Sequence, residues 1–203
     1  MNSENKTINY YNQHAEEYYK QTVNIDLSYI YQQFLPHLNF PAHILDAGCG
    51  SGRDSLFFLE HGYEVTAVDA AENLAQLAAD LIGQPVLNMK LQNLDFNSEF
   101  DGIWASASLL HLSDSKVKQV LNKFAQALVP GGVIYISLKY GTQEEIKNGR
   151  FFNYYTEETW LALVAEIEEL EVIKLWQTED LKNNKRKQLW LNVLLKRGGN
   201  NGM

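Results

Sequence analysis

The order of its segments is the feature that most constrains this chain: from residue 43 onward, short apolar runs alternate with longer segments of helical periodicity. This alternation is typical of α/β proteins, in which crossover helices cover both faces of a parallel sheet. The pattern predicts five strands and four helices, with strands at 43–47, 63–69, 85–89, 100–106 and 133–139 and helices at 53–61, 71–82, 114–128 and 156–168. The last of these helices opens on the capping sequence TEET.

The two ends of the chain complete the predicted fold. Apolar runs at 172–177 and 188–195 have no helix between them, so we expect them to pair as an antiparallel hairpin at one edge of the sheet. An ordinary dinucleotide-binding fold ends on a further parallel strand instead. Aromatic and small residues at helical spacing predict two N-terminal helices, at about 4–20 and 26–38. The expected architecture is therefore a seven-stranded, mostly parallel sheet with helices on both faces.

The length of 203 residues favours one domain. We place it at residues 1–198, with an N-terminal helical segment at 1–40 and the sheet core at 41–198, and we expect residues 199–203 to be a disordered tail. The basic stretch KNNKRK, at 182–187, falls between the last two strands and is expected to be a solvated turn.

The charge and cysteine content exclude several classes of protein. A net charge of -8 argues against nucleic-acid binding, which needs clustered Lys and Arg. The single cysteine, Cys49, cannot form an intrachain disulfide, which suits the cytosol. The chain has no signal-peptide pattern and no apolar run long enough to span a membrane. One cysteine, together with five histidines that lack metal-ligand spacing, gives no reason to predict a metal site.

A turn with three glycines joins the first strand to the first helix of the sheet region, in the sequence LDAGCGSGRDS. Ligands of open parallel sheets bind beyond the carboxyl ends of the strands. Gly48, Gly50 and Gly52 have no side chain to keep a ligand away, and the following helix points its free N–H groups to the same place. The spacing is GxGxG, whereas dinucleotide-binding turns read GxGxxG.

Two carboxylates flank this turn. Asp46 lies at the end of the first strand, where it would suit a cationic group better than a pyrophosphate. Asp69 ends the second strand at the usual spacing for an acid that accepts both ribose hydroxyls. A nucleoside with a cationic tail and no phosphate describes S-adenosylmethionine (SAM). The plainer alternatives are a purely conformational role for the glycines and helix capping by Asp69.

The motifs together resemble the class I SAM-dependent methyltransferases, and more narrowly the small bacterial proteins labelled tellurite-resistance-like or methyltransferase-domain proteins. The resemblance rests on LDAGCGSGRDS, GYEVTAVDAA, FDGIWASASLLHL, ALVPGGVIYISLKYG, GRFFNYYTEE and the closing LWLNVLL. It implies a Rossmann-like fold, SAM as cofactor, S-adenosylhomocysteine as product and an N-terminal segment that covers the cofactor as a lid.

The resemblance also implies a set of cofactor contacts. The residues concerned are Tyr11, Tyr18, Asp46, Gly48, Gly50, Gly52, Arg53, Asp69, Ala70, Met89, Gln92, Asn93, Leu94, Ala105 and Ser106. Arg53 is expected to pair with the carboxylate of the methionine part, or else to lie on the helix surface. Many relatives have an acid after the third strand that accepts from the adenine amine, but this sequence has Lys90 there.

The acceptor is expected beyond the fourth and fifth strands. His111 is the candidate general base, although a histidine at a helix entry can simply pack and cap. The connection 139–155 is long enough to cover the site, and in it Lys139, Arg150, Phe151 and Tyr154 are the candidate acceptor-binding residues. Local positive charge on an acidic protein favours an anionic acceptor, whereas the alternative is a surface loop with buried aromatic residues.

The expected function is methyl transfer from SAM to a small molecule by a cytoplasmic monomer or homodimer without nucleic-acid or membrane partners. Two other functions stay open: a non-catalytic SAM-binding module and, disfavoured by the GxGxG turn and the edge hairpin, a nicotinamide-dependent oxidoreductase.

Overall fold

A computed structural model describes residues 2–179 and 188–198, and this part of the chain holds seven α-helices and nine strands. The helices are α1 Ser3–Gln13, α2 Ala15–Thr22, α3 Ser28–Phe34, α4 Arg53–Glu60, α5 Glu72–Ile82, α6 Asp114–Ala127 and α7 Glu157–Val164. The strands are β1 His43–Ala47, β2 Glu64–Asp69, β3 Val86–Asn88, β4 Phe100–Ser106, β5 Leu128–Tyr140, β6 Glu144–Lys147, β7 Arg150–Tyr155, β8 Leu170–Glu179 and β9 Leu189–Arg197.

The strands run in the spatial order β3-β2-β1-β4-β5, all parallel. β9 then pairs antiparallel with β5, and β8 pairs antiparallel with β9 at the edge. The predicted α/β fold, with its parallel sheet and antiparallel C-terminal edge, is therefore confirmed. The predicted turn at 182–187 and the predicted tail at 199–203 lie outside the described residues.

The sheet has nine strands where seven were predicted, because the connection after β5 contains a hairpin. β6 and β7 pair antiparallel with Lys147 opposite Arg150, so the loop between them is the dipeptide Asn148-Gly149. Both loop residues have positive φ, 51° and 78°, as a tight two-residue hairpin turn requires. β7 also pairs in parallel with the last residues of β5, Lys139 and Tyr140. This pairing places the hairpin at the carboxyl end of the sheet.

Further differences from the predicted boundaries include those of the first helix and of the fifth strand. The helix expected over 4–20 is divided into α1 and α2 at His14, which leaves helical dihedral angles while its Nδ1 donates to the carbonyl of Tyr10 at 2.8 Å. β5 begins at Leu128 rather than at residue 133, and a register shift opposite Phe100 and Gly102 accommodates the additional residues Val129 to Gly132.

The sheet packs an apolar layer on each face, because consecutive strand residues point to opposite sides. Leu45, Ile103 and Ile134 face the core that α6 and α7 cover. Their neighbours in sequence, including Ile44 and Trp104, face the core that α3 and α4 cover. Burial on both sides fixes the register of β1 and β4, and it thereby fixes where the turns at their carboxyl ends meet.

Candidate cofactor site

A cavity lies beyond the carboxyl ends of β1, β2 and β4, beneath α1. Its wall is formed by the turns after these strands, by the loop after β3 and by side chains of α1 and α2. The lining residues are Glu4, Thr7, Ile8, Tyr11, Tyr18, Gly48, Gly50, Asp69, Ala70, Ala71, Leu74, Met89, Lys90, Leu91, Gln92, Ser106, Ala107, Ser108, His111 and Leu112.

The glycine turn requires glycine for two different reasons. Gly48, Gly50 and Gly52 all have left-handed φ, at 88°, 57° and 79°. At Gly48 a Cβ would lie 2.6 Å from the Cβ of Ser108, and at Gly52 it would lie 3.0 Å from the Cβ of Ala78 in α5. Gly48 and Gly50 line the cavity, whereas Gly52 lies outside its lining. Gly52 therefore serves the packing of α4 against α5.

Asp69 connects the glycine turn to the cavity. Its Oδ2 accepts the Gly50 N–H at 2.9 Å, and its Oδ1 accepts the Ala71 N–H at 2.8 Å. Burial raises the pKa of Asp69, although these backbone hydrogen bonds act in the opposite direction. Each carboxylate oxygen has more than one lone pair, so each can accept a further hydrogen bond from a ligand. Asp69 thus presents a carboxylate on the cavity wall. The alternative of helix capping is wrong, because the N-cap of α5 is Ala71 and no side chain caps that helix.

Asp46 and Arg53 lie outside the cavity lining, below the glycine turn. Asp46 is 1% exposed and accepts from the hydroxyl of Ser55 at 2.6 Å. Arg53 donates to both oxygens of Asp54, at 2.7 and 2.8 Å, and to the carbonyl of Thr22 at 3.4 Å. The guanidinium charge is thus already balanced by a neighbouring carboxylate.

Asp54, which was not predicted from the sequence, is the centre of this buried network. Besides Arg53 it accepts from the hydroxyl of Tyr31 at 2.6 Å and from Nε1 of Trp104 at 2.8 Å. Burial acts to raise the pKa of Asp54, but the charge and hydrogen bonds of Arg53 outweigh it and hold the pKa below its usual value. The network joins α3, α4 and β4, and so it holds the glycine turn from below.

The loop after β3 forms one end of the cavity. Met89 and Gln92 line it, as do the neighbouring Lys90 and Leu91. Asn93 does not line it, and Leu94 is 1% exposed in the core beneath. On the β4 side Ser106 lines the cavity, whereas Ala105 is buried in the core. The predicted contacts after these strands therefore divide into wall residues, core residues and the exposed Asn93.

Glu4 of α1 enters the same end of the cavity and was not predicted as a site residue. Its side chain is 10% exposed and forms ion pairs with Lys90 at 3.4 Å and with Lys116 of α6. Nε2 of Gln92 donates to it at 3.3 Å. Burial acts to raise the pKa of Glu4, but the two lysines outweigh it, so the pKa lies below its usual value. The position of Glu4, 86 residues before Lys90 in the chain, gives no local sequence signal of this contact.

The cover of the cavity is held by hydrogen bonds between α1 and the opposite side of the site. The Phe151 N–H donates to Oγ1 of Thr7 at 3.0 Å, and the Tyr11 hydroxyl lies 2.8 Å from Nε2 of His111. Tyr11 and Tyr18 pack edge to face with ring centroids 5.1 Å apart. Both tyrosines line the cavity, so the predicted N-terminal contacts are on its wall.

The protonation state of His111 follows from its two partners. Nδ1 lies 2.6 Å from the carbonyl oxygen of Phe151, which can only accept, so Nδ1 carries the proton. Nε2 is therefore bare and accepts from the Tyr11 hydroxyl. Burial lowers the pKa of His111 to about 4, and the nearby charges of Arg150 and Lys139 act in the same direction. The imidazole is neutral at physiological pH.

The predicted acceptor-binding residues lie on the far side of Tyr11 and His111, outside the cavity lining. Cζ of Arg150 lies 4.4 Å from the ring centroid of Tyr10 and 5.1 Å from that of Phe152. Nζ of Lys139 lies 3.7 Å from the Phe152 centroid and donates to the Tyr154 hydroxyl at 3.3 Å. Two cations therefore share one aromatic ring.

Arg150 has an incomplete set of partners. Its Nη1 donates to the Tyr11 hydroxyl at 3.4 Å, but its Nε is buried with no hydrogen-bond partner in the described structure. None of the ion pairs among residues 2–179 and 188–198 involves it. Phe151 contributes through its main chain, as the partner of Thr7 and His111.

Two features are absent from the described residues. No group of three or more His, Cys, Asp or Glu side chains within residues 2–179 and 188–198 is placed to hold a metal ion. In the same residues no helix has both the length and the apolar character needed to cross a membrane.

Comparison with known proteins identifies relatives of this region. A family described as a methyltransferase domain matches residues 44–132. The malonyl-[acyl-carrier protein] O-methyltransferase of Salmonella typhimurium is 31% identical over 109 residues, which are 52% of this chain and 43% of that protein. The chain thus spans less than half the length of this curated relative.

Solved structures extend the similarity beyond the matched segment. The Burkholderia thailandensis 1,6-didemethyltoxoflavin-N1-methyltransferase, solved with bound 1,6-didemethyltoxoflavin and S-adenosylhomocysteine, is 25% identical, with a TM-score of 0.67 over 78% of this chain and 72% of that one. The SAM-bound magnesium protoporphyrin IX methyltransferase of Synechocystis is 13% identical, with a TM-score of 0.75 over 98% of both chains, and shows the fold alone. Residues 44–132 are therefore similar to the methyltransferase domain family, and the chain shares its fold with SAM-dependent methyltransferases of known structure.

Proposed function

We propose that this protein transfers a methyl group from SAM to a small-molecule acceptor. The observation that carries the proposal is the Asp69 carboxylate, which faces a cavity beside the side-chain-free turn at Gly48 and Gly50. Its two oxygens have the remaining capacity to accept the two ribose hydroxyls of an adenosyl group. The family match over 44–132 supports the same reading.

The polar groups of the cavity wall fit an adenosyl-sulfur ligand. The hydroxyl of Ser108 is buried on this wall without a hydrogen-bond partner in the described structure, which suits contact with a polar ligand group. Ala70, Met89 and Gln92 would hold the base, with Gly48, Gly50 and Ser106 beside the methionine part. Tyr11 and Tyr18 would close the site from above. We assign Asp46, Gly52, Arg53, Asn93, Leu94 and Ala105 to the support of these contacts.

SAM supplies a methyl group that is already strongly electrophilic on its sulfonium. The chain then has to position an acceptor atom in line with that methyl group and exclude water. Tyr11, which contacts His111 through its hydroxyl, lines the same cavity as Ser106 and Ala107. His111 can take a proton at Nε2 only when an acceptor displaces the Tyr11 hydroxyl. Its pKa of about 4 makes it a weak base, which favours an acceptor atom that is already unprotonated.

We further propose that the acceptor is an anion bound by Arg150 and Lys139. A buried guanidinium nitrogen without a partner is costly, and a carboxylate or phosphate group would satisfy it with charge-assisted hydrogen bonds. The Tyr10 and Phe152 rings hold the guanidinium in place. Tyr154 donates to Glu145 at 2.5 Å while it accepts from Lys139, and so it keeps the ammonium near Phe152.

Replacement of Arg150 tests the acceptor proposal. Arg150→Ala should raise the KM for an anionic acceptor at least tenfold, because one charge-assisted hydrogen bond is worth about 1.5–3 kcal/mol, while the Kd for S-adenosylhomocysteine stays constant. Lys147→Ala, which removes the exposed lysine directly opposite in the hairpin, is the matched control. Unchanged acceptor kinetics in Arg150→Ala would contradict the proposal.

Ligand-dependent stability tests the cofactor. A ligand that binds only the folded state stabilises it by about 2.7 kcal/mol at a hundredfold excess over Kd. S-adenosylhomocysteine should therefore raise the Tm clearly, whereas NAD at the same concentration should leave it unchanged. A Tm shift with NAD alone would instead favour the nicotinamide-dependent oxidoreductase.

The alternative of a non-catalytic SAM-binding module predicts the same Tm shift but no turnover. Mass spectrometry of S-adenosylhomocysteine formation against a panel of carboxylate and phosphate acceptors distinguishes the two functions. The tyrosine and arginine cluster beside the cavity favours the enzyme, because a module that only binds SAM has no need of an unsatisfied cation there.

The wider proposals concern the whole protein. We propose one domain over residues 1–198 with a lid at 1–40, acting in the bacterial cytoplasm as a monomer or homodimer without nucleic-acid or membrane partners. We also propose that the protein is related to the small bacterial tellurite-resistance-like methyltransferases.

A further inference from the structure

The end of the cavity next to β3 lacks the carboxylate that commonly accepts from the adenine amine. Lys90 occupies that sequence position, and an ammonium group has three donors and no acceptor. It cannot accept a hydrogen bond from an exocyclic amine. If an adenosyl ligand binds here, another group has to provide the acceptor, or the amine loses a hydrogen bond on leaving water.

Among the described residues that line the cavity, two have carboxylates, Asp69 and Glu4. Asp69 is at the tip of β2 and accepts from the backbone of the glycine turn, which marks the ribose position. The Met89 N–H donates to the Asp69 carbonyl at 3.1 Å, so the loop after β3 begins directly beside it. A base attached to that ribose would extend along this loop, toward Lys90 and Gln92.

Glu4 stands at that position, although it comes from α1 rather than from the sheet. Its carboxylate contacts Gln92 and Lys90 of the loop and Lys116 of α6, which fix its orientation. A carboxylate has about four acceptor sites, and the contacts to Gln92 and Lys90, at 3.3 and 3.4 Å, are long. Capacity therefore remains for one more donor from the cavity side.

We propose that Glu4 is the residue that recognises the adenine amine, and that the N-terminal helix thereby supplies from above what relatives with an acid after the third strand supply from below. The inference rests on the proposed cofactor. Glu4 would then determine specificity for the 6-amino group. Because Glu4 is part of α1, the helix that covers the cavity would also recognise the base. Lys90 and Lys116 act as positioning residues that hold the carboxylate.

A double-mutant cycle between protein and ligand tests this assignment. The two ligands are S-adenosylhomocysteine and its purine analogue in which hydrogen replaces the 6-amino group. Calorimetry should give the amine-bearing ligand an advantage of about tenfold or more in the wild type, as one hydrogen bond to a charged acceptor provides. In Glu4→Met the ratio of the two Kd values should fall to near one.

Two further variants separate recognition from simple closure of the helix. Lys116→Met removes an ion pair to Glu4 but leaves the carboxylate, so both ligands should weaken in parallel and the ratio should be kept. Glu4→Gln retains one neutral acceptor oxygen and should give an intermediate ratio, which also covers the case in which Glu4→Met folds poorly.

The outcomes distinguish this inference from the proposed function. Equal Kd ratios in wild type and Glu4→Met, with tight binding of S-adenosylhomocysteine, would overturn the role of Glu4 alone. Loss of the ratio in Gln92→Met together with its retention in Glu4→Met would assign the acceptor to Gln92 instead. Absence of any binding by the wild type would overturn the proposed function.

Discussion

At the scale of single residues, the two acids predicted to flank the glycine turn have different environments. Asp69 reaches the cavity wall and accepts two backbone N–H groups, whereas Asp46 is sealed beneath the turn with Ser55 as its partner. The sequence spacing correctly predicted that both acids lie at the carboxyl ends of strands. It could not predict which of them faces the cavity, because that depends on side chains packed against the turn from other elements.

The pH dependence of stability should report on Asp46. Burial, with the negative charge of Asp54, raises the pKa of Asp46 to about 8, whereas the unfolded chain ionises near 3.8. Between these values the unfolded state releases a proton that the folded state keeps, so stability falls as the pH rises from about 4 to 8. The slope from this one group is on the order of 1 kcal/mol per pH unit at most.

Asp46→Asn should flatten that slope while keeping an acceptor for Ser55. Urea denaturation at several pH values between 4 and 8 measures the slope, with the exposed Asp95→Asn as control. Parallel curves for wild type and Asp46→Asn would show that Asp46 is ionised in the folded state.

The glycines offer a second residue-scale prediction. Gly52 and Gly83 both lie at helix ends with left-handed φ, 79° and 70°, but a Cβ would approach Ala78 only at Gly52. Gly83→Ala should cost roughly 1–2 kcal/mol from backbone strain. Gly52→Ala should cost at least about 1 kcal/mol more, because the added methyl group displaces α5. Chemical denaturation of the two variants measures the difference, and equal losses would mean that the contact relaxes freely.

Residues that the sequence did not reveal share one property: their roles depend on distant partners. Arg53 was expected to pair with a ligand carboxylate or to lie on the helix surface. In the structure it donates to Asp54, whose carboxylate also accepts from Tyr31 and Trp104. Glu4 lies in a helix with ordinary local signals. Neither role is encoded in a local pattern, since each arises from side chains that the fold brings together.

At the scale of elements, the sequence predicted most of the sheet because burial on both faces produces continuous apolar runs with clear limits. It missed the hairpin of β6 and β7, whose local signal was present. Asn148-Gly149 between two strand-like runs is the strongest short hairpin signal, but polar residues on β6 made the segment resemble a loop. The cavity cover was likewise inferred only through resemblance, because contacts between α1 and β7 are long-range.

The junction of α1 with β7 gives an element-scale prediction. Thr7 is 4% exposed, and its Oγ1 accepts from the Phe151 N–H while it donates to the carbonyl of Ser3. Thr7→Val has the same shape but leaves that N–H unpaired, at a cost of about 1–3 kcal/mol. Hydrogen exchange of residues 3–13 and of Phe151 should become faster, with little change in the core strands.

Thr7→Ser keeps the hydroxyl and is the matched control for that experiment. Exchange rates in Thr7→Val equal to those of Thr7→Ser would show that apolar packing alone holds α1 in place.

At the scale of the whole molecule, β5 connects the parts of the structure. It is hydrogen bonded to β4, β7 and β9, and its side chains enter both apolar cores. Because β5 has three neighbouring strands and two buried faces, it can unfold only when the rest of the sheet unfolds. We therefore expect the described parts of the chain to unfold as one cooperative unit.

Urea unfolding followed by far-UV circular dichroism and by tryptophan fluorescence tests this expectation. Trp104 and Trp160 lie in the two different cores and are both fully buried, so fluorescence samples both faces of the sheet. The two transitions should coincide. An earlier fluorescence transition would indicate that one core melts before the other.

The hydrogen bond from Phe151 to Thr7 joins positions 144 residues apart, and both lie outside the family-matched segment. Replacing β6 and β7 with a hairpin from another protein, in order to change the acceptor, would remove this hydrogen bond between β7 and α1. An exchange of acceptor specificity should therefore replace α1 together with β6 and β7 and leave the glycine turn unchanged.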